Sequence, residues 1–319
     1  MRKALVTGVA GFIGSHLLNQ LLIEGWQVTG IDNFDPFYDP TVKEMNIAKH
    51  ATNERFRLIR GDIGDIRFLK EVIDHVPDVV VHLAAKVGVR SSVADPAGYH
   101  DVNVRGTQNL LELTRLLSIR QFVFASSSSV YGINPNLPWR EDDRHLLPIS
   151  PYASSKLCAE TMGYVYALLY GCRFMSLRLF TVYGPGQRPD LAIHQFGKLM
   201  SEGKHLPLFG NGRSKRAYTF IGDVVRGIRA AMDYTASMYE IVNIGSREVV
   251  TLTELIAALE KVSGLRASVQ WLPGQPGDVP VTCPDTQKAK QVFGFETEID
   301  LPIGLQLFWE WLTRCHPDA

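Results

Sequence analysis

The chain has 319 residues, 45% hydrophobic and 21% charged, ordinary proportions for a soluble protein with room for a large α/β domain and a smaller lobe. Lys+Arg and Asp+Glu balance at 33 each, which argues against a nucleic-acid or anionic-membrane partner. No apolar run reaches the roughly 18–20 residues that span a bilayer, and Gly8, Gly11 and Gly14 break the only run that could pass for a signal peptide. Four cysteines without a CxxC pair read as reduced thiols of a cytoplasmic protein.

In chain order, β-branched runs predict strands over Lys3–Thr7, Gln27–Ile31, Phe56–Arg60, Val79–Leu83, Gln121–Ser126 and Arg173–Phe180. Amphipathic segments between them predict helices over Phe12–Glu24, Ile66–Val76, Val102–Leu117 and Tyr152–Tyr170. Val79-Val80-Val81 is apolar on both faces, as in a strand covered by helices on each side. The alternation predicts a Rossmann-like, doubly wound parallel sheet over residues 1–180. Beyond Phe180 the chain is dense in Gly and Pro, with helical patterns at Leu191–Glu202, Val224–Asp233, Leu252–Val262 and Pro302–Arg314. Residues 181–217 and 249–319 are expected to form a smaller mixed α/β lobe over the sheet's C-terminal edge. Residues from about 218 to 248 are expected to return to the first domain, with Tyr239–Ile244 as a strand of the main sheet.

The first strand runs into Gly8-Val9-Ala10-Gly11-Phe12-Ile13-Gly14, a GxxGxxG loop before a helix. Gly8 permits the turn, Gly11 lets the backbone approach a pyrophosphate, and Gly14 lets helix and strand pack closely. Asp32 closes the second strand, where a carboxylate accepts a hydrogen bond from a ribose 2′-OH and repels a 2′-phosphate. The predicted cofactor is therefore NAD rather than NADP. Glycines alone would mean only a turn; the weight comes from strand, glycines, helix, strand and acid in sequence.

Tyr152 and Lys156 stand i, i+4 on a helix announced by Ser150-Pro151, so they share a face. A neighbouring ammonium favours the phenolate, making Tyr152 a candidate general base. The pair carries little weight alone. It gains weight from the dinucleotide loop and from the turn Ser126–Ser129 at a strand's C-terminal end, where ligands bind in open α/β sheets. Ser127 is expected to hydrogen-bond the reacting hydroxyl. The nine histidines show no metal-ligand spacing, so no metal is expected. Trp309 and Trp311 read as core residues of an amphipathic helix.

The GxxGxxG loop, Asp32-Asn33-Phe34, Gly61-Asp62-Ile63, His82-Leu83-Ala84-Ala85, Asn103-Val104-x-Gly106-Thr107, Ser126–Gly132, Tyr152-x-x-x-Lys156 and Leu177-Arg178-x-Phe180 resemble the extended short-chain dehydrogenase/reductase family, and within it the nucleotide-sugar epimerases. The resemblance covers nearly the whole chain. It implies cofactor contacts from Phe12, Ile13, Asn33, Asp62, Ile63, Leu83, Ala84, Ala85 and Asn103, and places Lys156 on the nicotinamide ribose. It implies diphosphate pairing by Arg216 and a uridine-ribose contact by Asp278. Two positions depart from the family: Ala217 replaces the acid of the usual Arg-Asp-Tyr, and Gln275 stands where several relatives carry arginine.

Related dehydratases and decarboxylases carry an acid in the turn here written Ser127-Ser128-Ser129, and its absence favours a simple epimerase. The stretches Asp32–Asp39 and Thr181–Asp190 are similar to UDP-glucuronate 4-epimerases. Arg188 would then bind the sugar carboxylate, with Thr181, Ser128 and Arg90 adding contacts. The expected reaction is inversion at C4 of UDP-glucuronate through a 4-keto sugar, giving UDP-galacturonate. The nearest alternatives are a UDP-glucose or UDP-N-acetylglucosamine 4-epimerase and a UDP-glucuronate decarboxylase; from another class, a non-catalytic NAD-binding sensor. The resemblance also implies a homodimer through the helices at Val102–Leu117 and Tyr152–Tyr170, for which Met162, Tyr166 and Leu169 are candidates, although they equally suit packing on the sheet.

Overall fold

A computed structural model describes residues 1–73, 75–274 and 279–315. In chain order, β1 (Lys3–Thr7), α1 (Phe12–Ile23), β2 (Gln27–Asp32), α2 (Pro40–Ala48), β3 (Phe56–Arg60), α3 (Ile66–Val72) and β4 (Val79–His82) form the first half of a parallel sheet and its cover. Two short helices, α4 (Val89–Ala94) and α5 (Pro96–His100), lead through a π-helical turn at Asp101–Arg105 into α6 (Gly106–Leu116). β5 (Gln121–Ser127), α7 (Pro151–Tyr170) and β6 (Arg173–Leu179) follow. Then come β7 (Thr181–Tyr183), α8 (Ala192–Ser201), β8 (His205–Phe209), β9 (Lys215–Phe220), α9 (Ile221–Asp233) and β10 (Tyr239–Ile244). The chain ends with β11 (Val249–Thr251), α10 (Leu252–Ser263), β12 (Ser268–Leu272), α11 (Gln287–Phe293) and α12 (Leu301–Cys315).

The main sheet has seven parallel strands in the order β10-β6-β5-β4-β1-β2-β3, the doubly wound Rossmann arrangement. The strand pleat explains why its strands read apolar on both sides. Ala4, Val6, Val79, Val81 and Val123 point to one face, against α1 and α9. Leu5, Val80, Phe122 and Phe124 point to the other, against α3, α6 and α7. Tyr239–Ile244 does join this sheet, beside β6. β9 spans residue 218 and pairs wholly within a small sheet, β11-β9-β7, so the return to the main sheet is made by α9 and β10. The second lobe has its own core, built from Phe196, Leu206, Leu255, Leu305 and Phe308 among others, with Trp309 and Trp311 packed against it.

Two helices differ from the sequence expectation. The helix predicted over 66–76 stops at Val72, because Ile73 turns extended ahead of Pro77. The one predicted over 102–117 begins as the π turn and becomes α-helical only at Gly106. A π turn carries one extra residue per backbone hydrogen bond, and here it aims Asn103 toward α7.

Candidate active site

The sheet order reverses between β1 and β4, so the loops leaving these strands part and open a cleft beyond their carboxyl ends. The cleft holds about 480 Å³, within the range of ligand pockets. Gly8 turns β1 into α1 with φ +70°, and a Cβ there would lie 2.7 Å from the Ala84 amide nitrogen. At Gly14 a Cβ would lie 2.1 Å from the Gly8 carbonyl oxygen. Both positions exclude any side chain. α1 starts at Gly11 with no side-chain cap, leaving its first N–H groups directed at the cleft for an anion. Asp32 is buried beside this loop. Its two oxygens accept from Ala10 N at 3.0 Å and Phe34 N at 2.8 Å, which fixes the carboxylate while each oxygen keeps a lone pair for a hydroxyl.

A proton-ordered relay lies beneath the cleft floor. Ala84 N donates to Thr7 Oγ1 at 3.2 Å, and Thr107 Oγ1 donates to the Asn103 carbonyl at 2.6 Å. His82 bridges the two hydroxyls, at 2.8 Å from Nδ1 to Thr7 and 3.0 Å from Nε2 to Thr107. With the Thr107 proton already committed, Nε2 carries the hydrogen and Nδ1 accepts. Burial, aided by the Lys156 charge, holds His82 well below the usual imidazole range and therefore neutral.

α7 presents the catalytic pair. Ser150 caps it by accepting from Ala153 N at 3.1 Å, Pro151 occupies its first turn, and Gly171 ends it at φ +65°. Lys156 is buried on the face toward β5, donating from Nζ to the Ala125 carbonyl at 2.8 Å. Burial pushes its ammonium down to about 7, with Glu160 one turn away acting in the opposite sense. Tyr152 shares the cleft. Burial raises its phenol above the ordinary range, while the Ser127 hydroxyl and the Arg188 guanidinium pull it back. Ser127 ends β5 and holds the turn by accepting from Ser129 N at 3.1 Å.

The cleft is therefore lined by Gly8, Gly11, Phe12, Ile13, Gly14, Asp32, Asn33, Asp62, Ile63, Leu83, Ala84 and Ala85 together with Ser127, Ser128, Tyr152, Lys156, Thr181 and Arg188. Three residues with expected contacts do not line this cleft. Asn103 sits behind the wall, accepting from Lys86 N at 2.8 Å and donating to Lys86 O at 2.9 Å and Ser155 Oγ at 3.0 Å; it ties the loop after β4 to α7. Arg90, on α4, places its guanidinium over the Phe209 ring at 5.0 Å. Arg216, on β9, donates to the Lys215 carbonyl at 2.9 Å. Asp278 and Gln275 lie outside the described residues. Ala217 is buried among Val130, Tyr131, Trp139 and Phe180, an apolar setting in which the family's acid would be uncompensated.

Sequence reasoning missed several neighbours of the cleft. Phe37 and Tyr38, on the loop after β2, line it opposite Arg188, whose guanidinium stands 5.8 Å from the Phe37 ring centre. Burial pushes the Tyr38 phenol up to about 12. Below the pair on α7, Glu160 accepts from Arg178 Nε at 3.0 Å and Nη2 at 2.7 Å, from Ser126 Oγ at 2.6 Å and from Ser176 Oγ at 3.1 Å. The only sequence signal was spacing, since Glu160 continues the i, i+4 series of Tyr152 and Lys156.

The comparisons with known proteins agree with this geometry. The family model described as GDP-mannose 4,6 dehydratase matches residues 5–307. The chain belongs to this family of extended short-chain dehydrogenases/reductases. It is 39% identical over 310 residues to a UDP-glucuronate 4-epimerase of Thermodesulfobacterium geofontis, covering 96% of this chain and 95% of the relative. The Bacillus cereus UDP-glucuronic acid 4-epimerase, solved with UDP-glucuronic acid and NAD, superimposes with a TM-score of 0.91 at 38% identity, covering 98% of this chain and 100% of that one. A UDP-glucose 4-epimerase of Thermotoga maritima, solved with UDP-glucose, gives a TM-score of 0.91 at 31% identity, covering 98% of this chain and 99% of that one.

Proposed function

We propose that the protein is an NAD-dependent epimerase that inverts C4 of UDP-glucuronate, giving UDP-galacturonate through a transient 4-keto sugar. Arg188 is the observation that carries the choice of sugar. Its side chain is only 16% exposed and lines the same cleft as Tyr152 and Lys156. A carboxylate can engage such a guanidinium through two parallel hydrogen bonds, whereas a neutral hexose offers its charge no counterpart. Relatives named for this reaction support the reading.

The α1 N-terminus, Asp32 and Lys156 would hold NAD, which would supply the hydride acceptor for C4 and the hydride donor for the opposite face of the ketone. Tyr152 takes the C4-hydroxyl proton and later gives it back, with Ser127 holding the hydroxyl. Lys156 keeps a positive charge beside the phenolate, so the proton leaves against a smaller barrier. Arg188 and Thr181 hold the sugar carboxylate near the ketone plane, where its bond to C5 overlaps poorly with the carbonyl π system and CO₂ is retained. We assign residues 1–180 with the return over about 218–248 to the cofactor, and residues 181–217 and 249–319 to the nucleotide sugar. Reduced thiols at Cys158, Cys172 and Cys283 suit the cytoplasm, the compartment we assign.

We further assign a homodimer through α6 and α7. On α7 Tyr164, Val165, Leu168, Leu169 and Tyr170 are between 41% and 69% exposed. Of the three apolar candidates taken from the sequence, Leu169 is on this outer face, while Tyr166 is buried and hydrogen-bonds Glu112 of α6. Light scattering at twice the chain mass is expected, and a monomer at micromolar concentration would reject the assignment.

Proton NMR of the purified protein with UDP-glucuronate, and with UDP-glucose in parallel, tests the reaction. New galacturonate signals without UDP-pentose are expected. Conversion of UDP-glucose alone would keep the hydride mechanism and discard the role of Arg188. Silence in both samples would discard the substrate class.

A further inference from the structure

The loop that presents Arg188 is braced through its backbone. His16 Nε2, on α1, donates to the Pro185 carbonyl at 2.8 Å. His194 Nδ1, on α8, donates to the Gln187 carbonyl at 2.6 Å, and Gln187 Nε2 donates to the Val182 carbonyl at 3.1 Å. These bonds fix the Arg188 Cα and leave its long, flexible stem to be settled by other contacts. The head is settled by Asp190. Arg188 Nε donates to Oδ1 at 2.9 Å and Nη2 to Oδ2 at 2.7 Å, a fork-to-fork pair along one edge of the guanidinium. That edge uses two of the five N–H groups. The end-on pair shared by Nη1 and Nη2 and the outer N–H of Nη1 remain for a ligand, and the Phe37 ring centre lies 5.8 Å from the guanidinium carbon.

We propose that Asp190 is a positioning residue: by gripping one edge of Arg188 it sets the direction in which the other edge meets the sugar carboxylate, and so decides how the 4-keto acid divides between hydride return and loss of CO₂. The inference rests on the epimerase reading. Loss of CO₂ breaks the C5–C6 bond and sends its electron pair into the C4 carbonyl. The resulting enolate takes a proton at C5. Hydride return to that ketone then gives a UDP-pentose, so no outside oxidant or reductant enters. The step needs the C5–C6 bond turned out of the ketone plane, and it removes the negative charge that Arg188 pairs. A guanidinium held in one direction opposes both changes.

Asp190 also works against raw affinity, because its charge and that of the sugar carboxylate share one cation. Asp190→Asn removes the repulsion and the grip together. Affinity and product partition should therefore move apart, which a merely structural residue would not produce.

The experiment is a product analysis by proton NMR with KM and bound-NAD measurements, comparing wild type, Asp190→Asn and Asp190→Glu on UDP-glucuronate. Misplacement at a reacting centre shifts rate ratios by as much as ~10²-fold, so UDP-pentose, absent from the wild-type spectrum, should appear beside galacturonate in Asp190→Asn. Its KM should be equal to or below that of wild type, and its NAD content unchanged. Asp190→Glu, which keeps the charge and the fork, should return the partition toward wild type. An Asp190→Asn enzyme with wild-type partition would overturn the inference while leaving the epimerase reading intact. So would one that loses NAD and turnover with no change in partition. A wild type that makes no UDP-galacturonate would overturn the epimerase reading itself, and this inference with it.

Discussion

Lys156 gives a prediction in which catalysis and stability pull in opposite directions. Its ammonium is buried, and its folded pKa lies near 7 against an ordinary 10.5. Below pH 7 both the folded and the unfolded chain carry the proton, and the folded state bears the whole cost of burying the charge. That cost is about 5 kcal/mol at 1.36 kcal/mol per pKa unit. Between pH 7 and 10.5 the unfolded chain binds one more proton than the folded one, so stability rises with pH, by up to about 1.4 kcal/mol per unit. Lys156→Met removes the charge and keeps most of the volume, at the expense of one hydrogen bond to the Ala125 carbonyl, worth about 1 kcal/mol. With nucleotide removed from both proteins, the variant should be inactive yet more stable than wild type by about 3–4 kcal/mol at pH 6. The gain should shrink steadily between pH 7 and 9. Urea denaturation at pH 6, 7.5 and 9 measures it. A variant less stable than wild type at pH 6, or a difference that ignores pH, would refute the account of Lys156 as a charge held in place against its burial cost.

Tyr152→Phe should retain NAD but lose ~10²–10⁴-fold in turnover, the usual contribution of a general acid–base group, as read by NMR of the sugar product. Gly14→Ala should lose NAD, read as absorbance of nucleotide released from the purified protein, because its Cβ would sit 2.1 Å from a backbone oxygen that cannot move aside. Arg178→Met leaves Glu160 buried without its cation and should cost about 3–5 kcal/mol in urea denaturation, while Arg178→Met with Glu160→Gln should recover much of that loss.

The readable parts of the site were those fixed by local geometry. The glycine loop is legible because Gly8 and Gly14 stand where any Cβ would strike backbone, a constraint that leaves only one residue type. Tyr152 and Lys156 are legible because a helix repeats every 3.6 residues and places i and i+4 on one face. Asp32 is legible because a strand end after a glycine loop and helix falls beside the loop by the right-handed crossover alone.

Tertiary structure decided the rest. Phe37 reaches Arg188, and His16 reaches Pro185 across 169 residues of sequence, only because the fold brings α1 and the loops after β2 and β7 to one end of the main sheet. Asn103 carries a family motif, yet the π turn and the contacts to Lys86 and Ser155 make it a strut behind the wall. Arg90 and Arg216 are polar residues of motif-bearing segments, and nothing in their neighbours along the chain tells which way such long side chains point. By itself, then, the sequence determined the fold class, the cofactor loop and the Tyr152/Lys156 pair, because each is set by short-range sterics and periodicity. The grip of Asp190 on Arg188, the burial that lowers the Lys156 pKa and the neutral His82 relay were decided only by long-range packing, because desolvation and contact depend on which distant segments close over a group.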